Sequence, residues 1–355
     1  MGEEEIAAAS AVLASGMLVQ GERVAAFERA LAERCGRAYA VACGSGTAAL
    51  ELALAAIGVS GGEVLCPDLS WPSPAHAIVR SGARPVLVDV DRESWNASAA
   101  SLAAARTERT AAAIVIDQLG NPAEHPAIAE ALRDLPILVD AACSIGATLS
   151  GRPAASYGLV ACLSFHPRKL VTTGEGGACL TDDPRLAEEL RILRNHGQRA
   201  AGVFVSAAGN QRMSEMAAAI GLVQLGRLDA MLERRRALAA RYRAALGGRF
   251  GLQEPPEGGV SNWQTFGITL PEHASADTRD ALVASLREAG IEAGRLSYAL
   301  HRIGSLEGKY SGGPFPVAEH LDARGLALPL HPLLEDAEQD RVLAVLETHT
   351  EEIAP

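Results

Sequence analysis

Lysine is almost missing from this chain. Of 355 residues, 32 are Lys or Arg, yet only Lys169 and Lys309 are lysines, so arginine supplies the other thirty cations. Lysine is ordinarily among the commonest residues. A coding bias that places Arg wherever a generic cation serves explains the depletion. Under that bias a surviving lysine marks a position where guanidinium cannot substitute, that is, where an amine must lose its proton and act as a nucleophile. Other absences narrow the class. No apolar run approaches the roughly 18 residues of a membrane span, and the opening MGEEEIAAAS is acidic where a secretory signal is basic, so a cytoplasmic location is expected. The six cysteines (Cys35, Cys43, Cys66, Cys143, Cys162, Cys179) show no CxxC and no paired metal spacing. They read as reduced, mostly buried thiols, with neither a disulfide scaffold nor a metal site. Excess positive charge is also lacking. The balance of 43 acidic to 32 basic residues, net −11, argues against a nucleic-acid or anionic-membrane surface and toward a small metabolite partner.

What is present is a chain with 48% hydrophobic residues, enough for one large domain or two moderate ones. GERVAAFERALAERCG has helical spacing, with Val24, Phe27, Leu31 and Ala32 on one face. Short apolar segments follow: YAVAC, EVLCP, RPVLVDV, AAAIVI, PILVD, LVACLSF and GACLTDD. Helix-length segments such as TAALELALAAIG, SPAHAIVRSG and HPAIAEALRD separate most of them. This alternation predicts an α/β fold with a largely parallel sheet and its ligand loops gathered at one end. From about Arg212 a long helical run, MSEMAAAIGLVQLGRLDAMLERRRALAARYRAALG, is expected to link two domains. QTFGITLPE reads as a strand, TRDALVASLREAG as a helix and EDAEQDRVLAVLETH as a closing helix. The division read here is a large α/β domain over 1–225, whose N-terminal segment is free to pack on the small domain, and a small α+β domain over 226–355.

Four segments carry candidate chemistry. In Ser164-Phe165-His166-Pro167-Arg168-Lys169 the rare lysine follows an apolar strand, and GEGG lets the backbone turn before the next one. Desolvation and the neighbouring Arg168 favour the neutral amine that a Schiff base requires. A surface lysine in a β-hairpin is an equal alternative on this segment alone; Lys309, in SLEGKYSGG, reads as a solvated charge. Asp140 ends the strand PILVD, where a desolvated carboxylate needs a cationic or hydrogen-bonding partner such as a protonated pyridine nitrogen; capping the following turn is the alternative. Gly44-Ser45-Gly46-Thr47 opens a helix, so free N–H groups can hold a phosphate, or the segment is an ordinary N-cap. Trp71 in PDLSWPSP can stack on a flat ring or belong to the core. A phosphate cradle, a stacking face, an acid for a ring nitrogen and an amine for an aldehyde together describe pyridoxal 5′-phosphate (PLP).

With those segments in view, the chain resembles the DegT/DnrJ/StrS family of PLP-dependent aminotransferases, which act mainly on keto sugars and related cyclitols. The resemblance runs through LVQGERVAAFE, CGSGTAALELAL, CPDLSWPSPAHAIVRSGARPVLVDVD, VDAACSIGA, SFHPRKLVTTGEGG, LRNHGQ, GNQRMSEMAAAIGLVQLGRLD, ALHRIG and LALPLHP. It implies the type I aminotransferase fold and a homodimer with active sites at the subunit interface. Lys169 would carry the Schiff base, Asp140 would pair with the pyridine nitrogen, and Trp71 would stack on the ring. Ser164 with backbone groups of Gly46 and Thr47 would hold the phosphate, and Asn210 would reach it from the neighbouring subunit. Cys143 stands where the family often has Gln or His near the ring hydroxyl, and a thiol is a poor substitute donor. Arg212, Tyr298 and His301 are substrate-site candidates, although GRLSYALHRIG lacks the family's usual proline-rich acceptor loop.

The implied reaction is ping-pong transfer of an amino group from L-glutamate or L-glutamine to a nucleotide-linked keto sugar or a cyclitol ketone, in amino-sugar or secondary-metabolite biosynthesis. Two other classes compete: sugar dehydratases, in which His replaces the lysine kept here as Lys169, and a non-catalytic regulatory or binding protein, which would be marked by loss of the lysine or the acid. A nicotinamide oxidoreductase is disfavoured, because CGSGTAAL lacks the third glycine of GxGxxG. His166 and His196 read as loop-holding residues, and His76, His125, His320 and His331 have no ligand spacing for a metal.

Overall fold

The computed structural model describes residues 1–353, with side chains through Thr348. An eight-stranded sheet runs in the order Tyr39–Cys43, Gly177–Thr181, Val160–Ser164, Ile137–Asp140, Thr110–Ile116, Glu63–Pro67, Arg84–Val88 and Ser311–Gly312. Only Gly177–Thr181 runs against the others. The α/β class and the mostly parallel sheet expected from the alternation are therefore found.

The strands are apolar on both faces because helices cover both. Val41, Val64 and Cys66 pack beneath the helices Gly46–Ala56, Ser73–Arg80 and Pro184–Arg194. The alternate residues Ala40, Ala42 and Leu65 face Phe27 and Leu31 of the helix Glu22–Arg34 and Ala218 of the helix Glu215–Gly226. This period of two is the signature of a sheet buried on both sides. A separate core forms around Tyr242, Phe266, Ile268, Leu286, Leu326 and Val342. It lies on a four-stranded antiparallel sheet of Gly251–Leu252, Phe266–Thr269, Gly325–Leu328 and Gly294–Arg295.

The long helical run is broken where continuous periodicity was expected. One helix ends at Gly226 and the next runs Leu228–Leu246. Between them, Arg227 ion-pairs with Glu4 and Glu5 of the N-terminal helix Glu3–Ser15, and that helix packs on Glu215–Gly226. Glu215 starts the other half of this joint. Its carboxylate accepts from the N–H groups of Gly21 at 2.7 Å, Arg23 at 2.9 Å and Val24 at 2.9 Å. A side chain distant in sequence thus satisfies the unpaired donors at the start of the helix Glu22–Arg34, whose own cap residue, Gly21, has no side chain to do so.

Candidate active site

Five strands deliver their C-terminal ends to one side of the sheet. The residues that follow them are Gly44–Thr47, Asp68–Trp71, Asp117, Asp140–Ser144 and Ser164–Lys169. This is where open α/β sheets bind ligands, since strand ends and helix starts leave backbone groups free there.

Ser45 caps the helix Gly46–Ala56, its hydroxyl accepting from Ala48 N–H at 3.1 Å. The ordinary N-cap is thus present, but it uses one donor only. The Gly46 and Thr47 N–H groups have no protein acceptor among the described residues. They lie beside Ser164, so closely that a Cβ on Gly46 would fall 2.7 Å from Ser164 Cβ. Gly177 presses on the same loop, and a Cβ there would fall 2.2 Å from Ser45 O. Within GEGG only Gly174 has a positive φ, of 83°. Gly176 and Gly177 serve close approach rather than turning, which refines the reading of that segment. The Thr47 hydroxyl bonds Ser73 Oγ at 2.7 Å. Two open N–H groups, a serine hydroxyl and a helix start form a cradle for a phosphate.

Lys169 lies in the connection between the antiparallel neighbours Val160–Ser164 and Gly177–Thr181, so the hairpin topology of the bland alternative is real. The side chain nevertheless turns inward, half-buried, and Nζ donates to Cys143 Sγ at 3.1 Å. Asp140 is 7% exposed. Its Oδ1 accepts from Ala142 N–H at 3.0 Å, while no protein donor reaches Oδ2 among the described residues. Burial raises this carboxyl from an ordinary 3.8 to about 6, and the negative charge of Asp117 adds to the rise; Ala142 N–H and the Lys169 ammonium oppose it. Asp140 therefore caps its turn and also has an oxygen to offer a cation.

Trp71 is 54% exposed, which excludes the core reading. Its ring meets Tyr298 edge-on at 5.6 Å, and the Arg168 guanidinium lies 5.2 Å from its centroid. Tyr298 arrives because Tyr298–Ala299 pairs with Leu69–Ser70. His301 follows, but both of its ring nitrogens are engaged, Nδ1 with Asp68 Oδ2 at 2.7 Å and Nε2 with Glu319 Oε1 at 3.3 Å. Asn210 is exposed and makes no contact with Lys169 or Asp140 within the chain. Arg212 lies along the cradle loop: its neighbour Gln211 accepts from Gly44 N–H at 2.9 Å, and its guanidinium is tied to Asn195. His166 holds its loop, accepting from Arg168 N–H at 3.2 Å. Five cysteines are buried and Cys143 is half-buried, all of them free thiols. No metal-binding group of His, Cys, Asp and Glu occurs among the described residues.

Sequence reasoning missed Asp117, Ser144 and Asp68 as site-forming residues. Asp117 ends AAAIVID as Asp140 ends PILVD, so the same signal of a carboxylate closing an apolar strand was available.

Comparison with known proteins assigns the chain to a family. A profile of the DegT/DnrJ/EryC1/StrS aminotransferase family matches residues 1–347. The fold is similar to the candidate sugar aminotransferase Spr1654 from Streptococcus pneumoniae, with 27% identity and TM-score 0.94, covering 99% of this chain and 96% of that one. That protein is known in PLP and pyridoxamine-phosphate forms. The aminotransferase TlmJ from Streptoalloteichus hindustanus is 32% identical with TM-score 0.92, over 100% of this chain and 98% of that one. A GDP-4-keto-6-deoxymannose-3-dehydratase (ColD) with bound GDP-perosamine is 28% identical with TM-score 0.91, over 98% of each chain. The chain belongs to the DegT/DnrJ/EryC1/StrS family of PLP-dependent aminotransferases.

Proposed function

We propose that this aminotransferase moves an amino group from L-glutamate or L-glutamine to a ring ketone of a keto sugar, nucleotide-linked, or of a related cyclitol. The observation that carries the reading is the convergence of Lys169 and Asp140 at one side of the sheet, where the open N–H groups of Gly46 and Thr47 also lie. The residues present fit PLP: a cradle with unused donors for its phosphate, a buried carboxylate with a free oxygen for its ring nitrogen, and an amine. Bound there, PLP supplies an aldehyde that carries the amino group and a ring that accepts electrons.

The protein's own groups do the rest. Gly46, Thr47 and Ser164 would hold the phosphate, and Trp71 would cover a ring face. Asp140, ionised, would pair with the ring nitrogen and favour its protonated form. Lys169 Nζ is the amine that would hold the aldehyde and, once free, the base that would move the proton of the donor's α-carbon. With the ketone the same groups would serve in reverse. Tyr298, against Trp71, and Arg212, along the cradle loop, would serve the acceptor; His301, clamped by Asp68 and Glu319, has no free ring nitrogen to offer it.

A homodimer with shared sites is part of this reading. The hairpin of Gln198–Ala200 and Val203–Phe204 exposes Val203, Phe204 and Val205 close in sequence to the exposed Asn210, and contiguous exposed apolar residues favour a protein contact. A cytoplasmic location belongs to the same proposal; among the described residues no helix is long and apolar enough to cross a membrane.

The test is the visible spectrum of the PLP-loaded protein before and after L-glutamate or L-glutamine. Loss of the lysine-bound PLP band with growth of the pyridoxamine phosphate band is expected, after which keto sugars and cyclitol ketones should restore it. A bound-PLP band indifferent to every amino donor would overturn the reading. So would normal turnover by Lys169→Ala.

A further inference from the structure

Behind Asp140 lies a second buried carboxylate that the proposed chemistry does not use. Asp117 follows Ile116, the register partner of Asp140 on the adjacent parallel strand, and Asp117 N–H donates to Asp140 O at 3.2 Å. The Asp117 side chain is wholly enclosed. Its Oδ1 accepts from Ala123 N–H at 2.9 Å and pairs with His125 Nε2 at 2.8 Å, and its Oδ2 accepts from Ser144 Oγ at 2.6 Å. His125 is itself buried, stacked on Tyr157 with centroids 4.9 Å apart and planes 14° from parallel. Ser144 N–H donates to Ala141 O and so closes the turn directly after Asp140, which carries Cys143, the thiol that touches Lys169. One carboxylate therefore grips both the turn of the candidate acid and the contact of the candidate nucleophile.

Such a carboxylate is costly to bury for stability alone. Three donors satisfy it, yet its charge remains beside Asp140 in a region of low dielectric. The charged or titratable groups around Asp140 are Asp117, Lys169, Cys66, its register partner Cys162 and, in its own turn, Cys143; burial keeps the Cys66 thiol protonated. Asp117 is the only one of these that disfavours the ionised form of Asp140 and that also carries a partner, His125, able to cancel its charge.

We propose that Asp117, clamped by His125 and Ser144, is a positioning residue that sets how readily Asp140 exchanges a proton with the cofactor's ring nitrogen, His125 adjusting the charge that Asp140 feels. The inference rests on the proposed role of Asp140 toward PLP, but its physical content is a coupling between protein groups and is readable without turnover.

The experiment follows the side-chain carboxyl carbon of Asp140 by NMR against pH in the full-length, cofactor-free chain, the signal being assigned by its loss in Asp140→Asn. Asp117→Asn keeps the shape of the side chain and removes the charge, so the Asp140 midpoint should fall by about one pH unit. His125→Gln keeps a donor on Asp117 and can take no charge, so the midpoint should rise. Opposite signs separate charge tuning from loosened packing, which would move both variants the same way. An unmoved midpoint in folded Asp117→Asn, or shifts of one sign in both variants, overturns the proposal. Should Asp117→Asn fail to fold, His125→Gln alone decides: a rise supports the coupling and its absence refutes it. A donor-driven spectral change in a protein whose midpoints do not move would remove this inference and leave the proposed function standing. Shifted midpoints in a protein that binds no PLP would do the reverse.

Discussion

Asp140→Asn should make the cofactor-free protein more stable at neutral pH while removing its chemistry. Burial lifts the Asp140 carboxyl from 3.8 to about 6, whereas in the unfolded chain it titrates near the ordinary value. Between those limits the folded state still holds a proton that the unfolded state has released, so stability falls as pH rises through the window and the full cost is present above it. At about 1.4 kcal/mol per pH unit of displacement, the charged form costs the folded state about 3 kcal/mol. An amide carries no such charge. The variant should therefore gain up to about 3 kcal/mol over wild type at pH 8, with the gain shrinking on acidification and vanishing near pH 4. Parallel thermal unfolding of the two proteins without PLP, repeated across that range, checks this. Adding PLP should narrow the gap at pH 8, because only wild type gains an ion pair with the ring nitrogen. Equal stability at pH 8 would refute the claim that Asp140 is held ionised at a cost that the cofactor relieves.

Three further outcomes test the neighbouring elements. Gly177→Ala would place a Cβ 2.2 Å from Ser45 O and must push the cradle loop aside; PLP affinity measured by dialysis should fall at least about tenfold, with little change in far-ultraviolet circular dichroism. Trp71→Ala, at a residue 54% exposed, should change stability by less than about 0.5 kcal/mol yet weaken PLP binding by roughly three- to tenfold through the lost ring contact. Glu215→Ala strands three N–H groups at the start of the helix Glu22–Arg34 and should cost about 2–3 kcal/mol in urea unfolding, with cleavage by protease appearing first in the N-terminal arm.

Much of this site was legible because its residues sit where local patterns end. Lys169 was isolated by composition, Asp140 by closing an apolar strand, and Gly46 and Thr47 by opening a helix. Each pattern is short-range, and each residue was found at the same side of the sheet. What was not legible depends on pairings distant in sequence. Ser311–Gly312 joins the large sheet through backbone hydrogen bonds to Val86 and Leu87, and two residues of a glycine-rich loop carry no periodicity to announce it. The long helical run shows no apolar break at Arg227, since the interruption is tied to glutamates more than two hundred residues earlier.

His125 marks the same boundary most sharply. Judged by metal-ligand spacing it is inert, and the carboxylate next to it in sequence, Glu124, is not the one it meets. In the fold it stands against Asp117, eight residues away, because the chain turns back at the strand end and seats the ring on Tyr157. A buried histidine becomes functional through the charge it faces, and that charge belongs to a strand whose closing aspartate repeats the pattern of Asp140 one strand over. Asp117 lies one residue beyond the register partner of Asp140, and its N–H donates to Asp140 O, so the two are neighbours through the backbone and through the Ser144 turn. Of the two, the histidine touches Asp117 alone, so whatever it offsets reaches Asp140 only through that carboxylate.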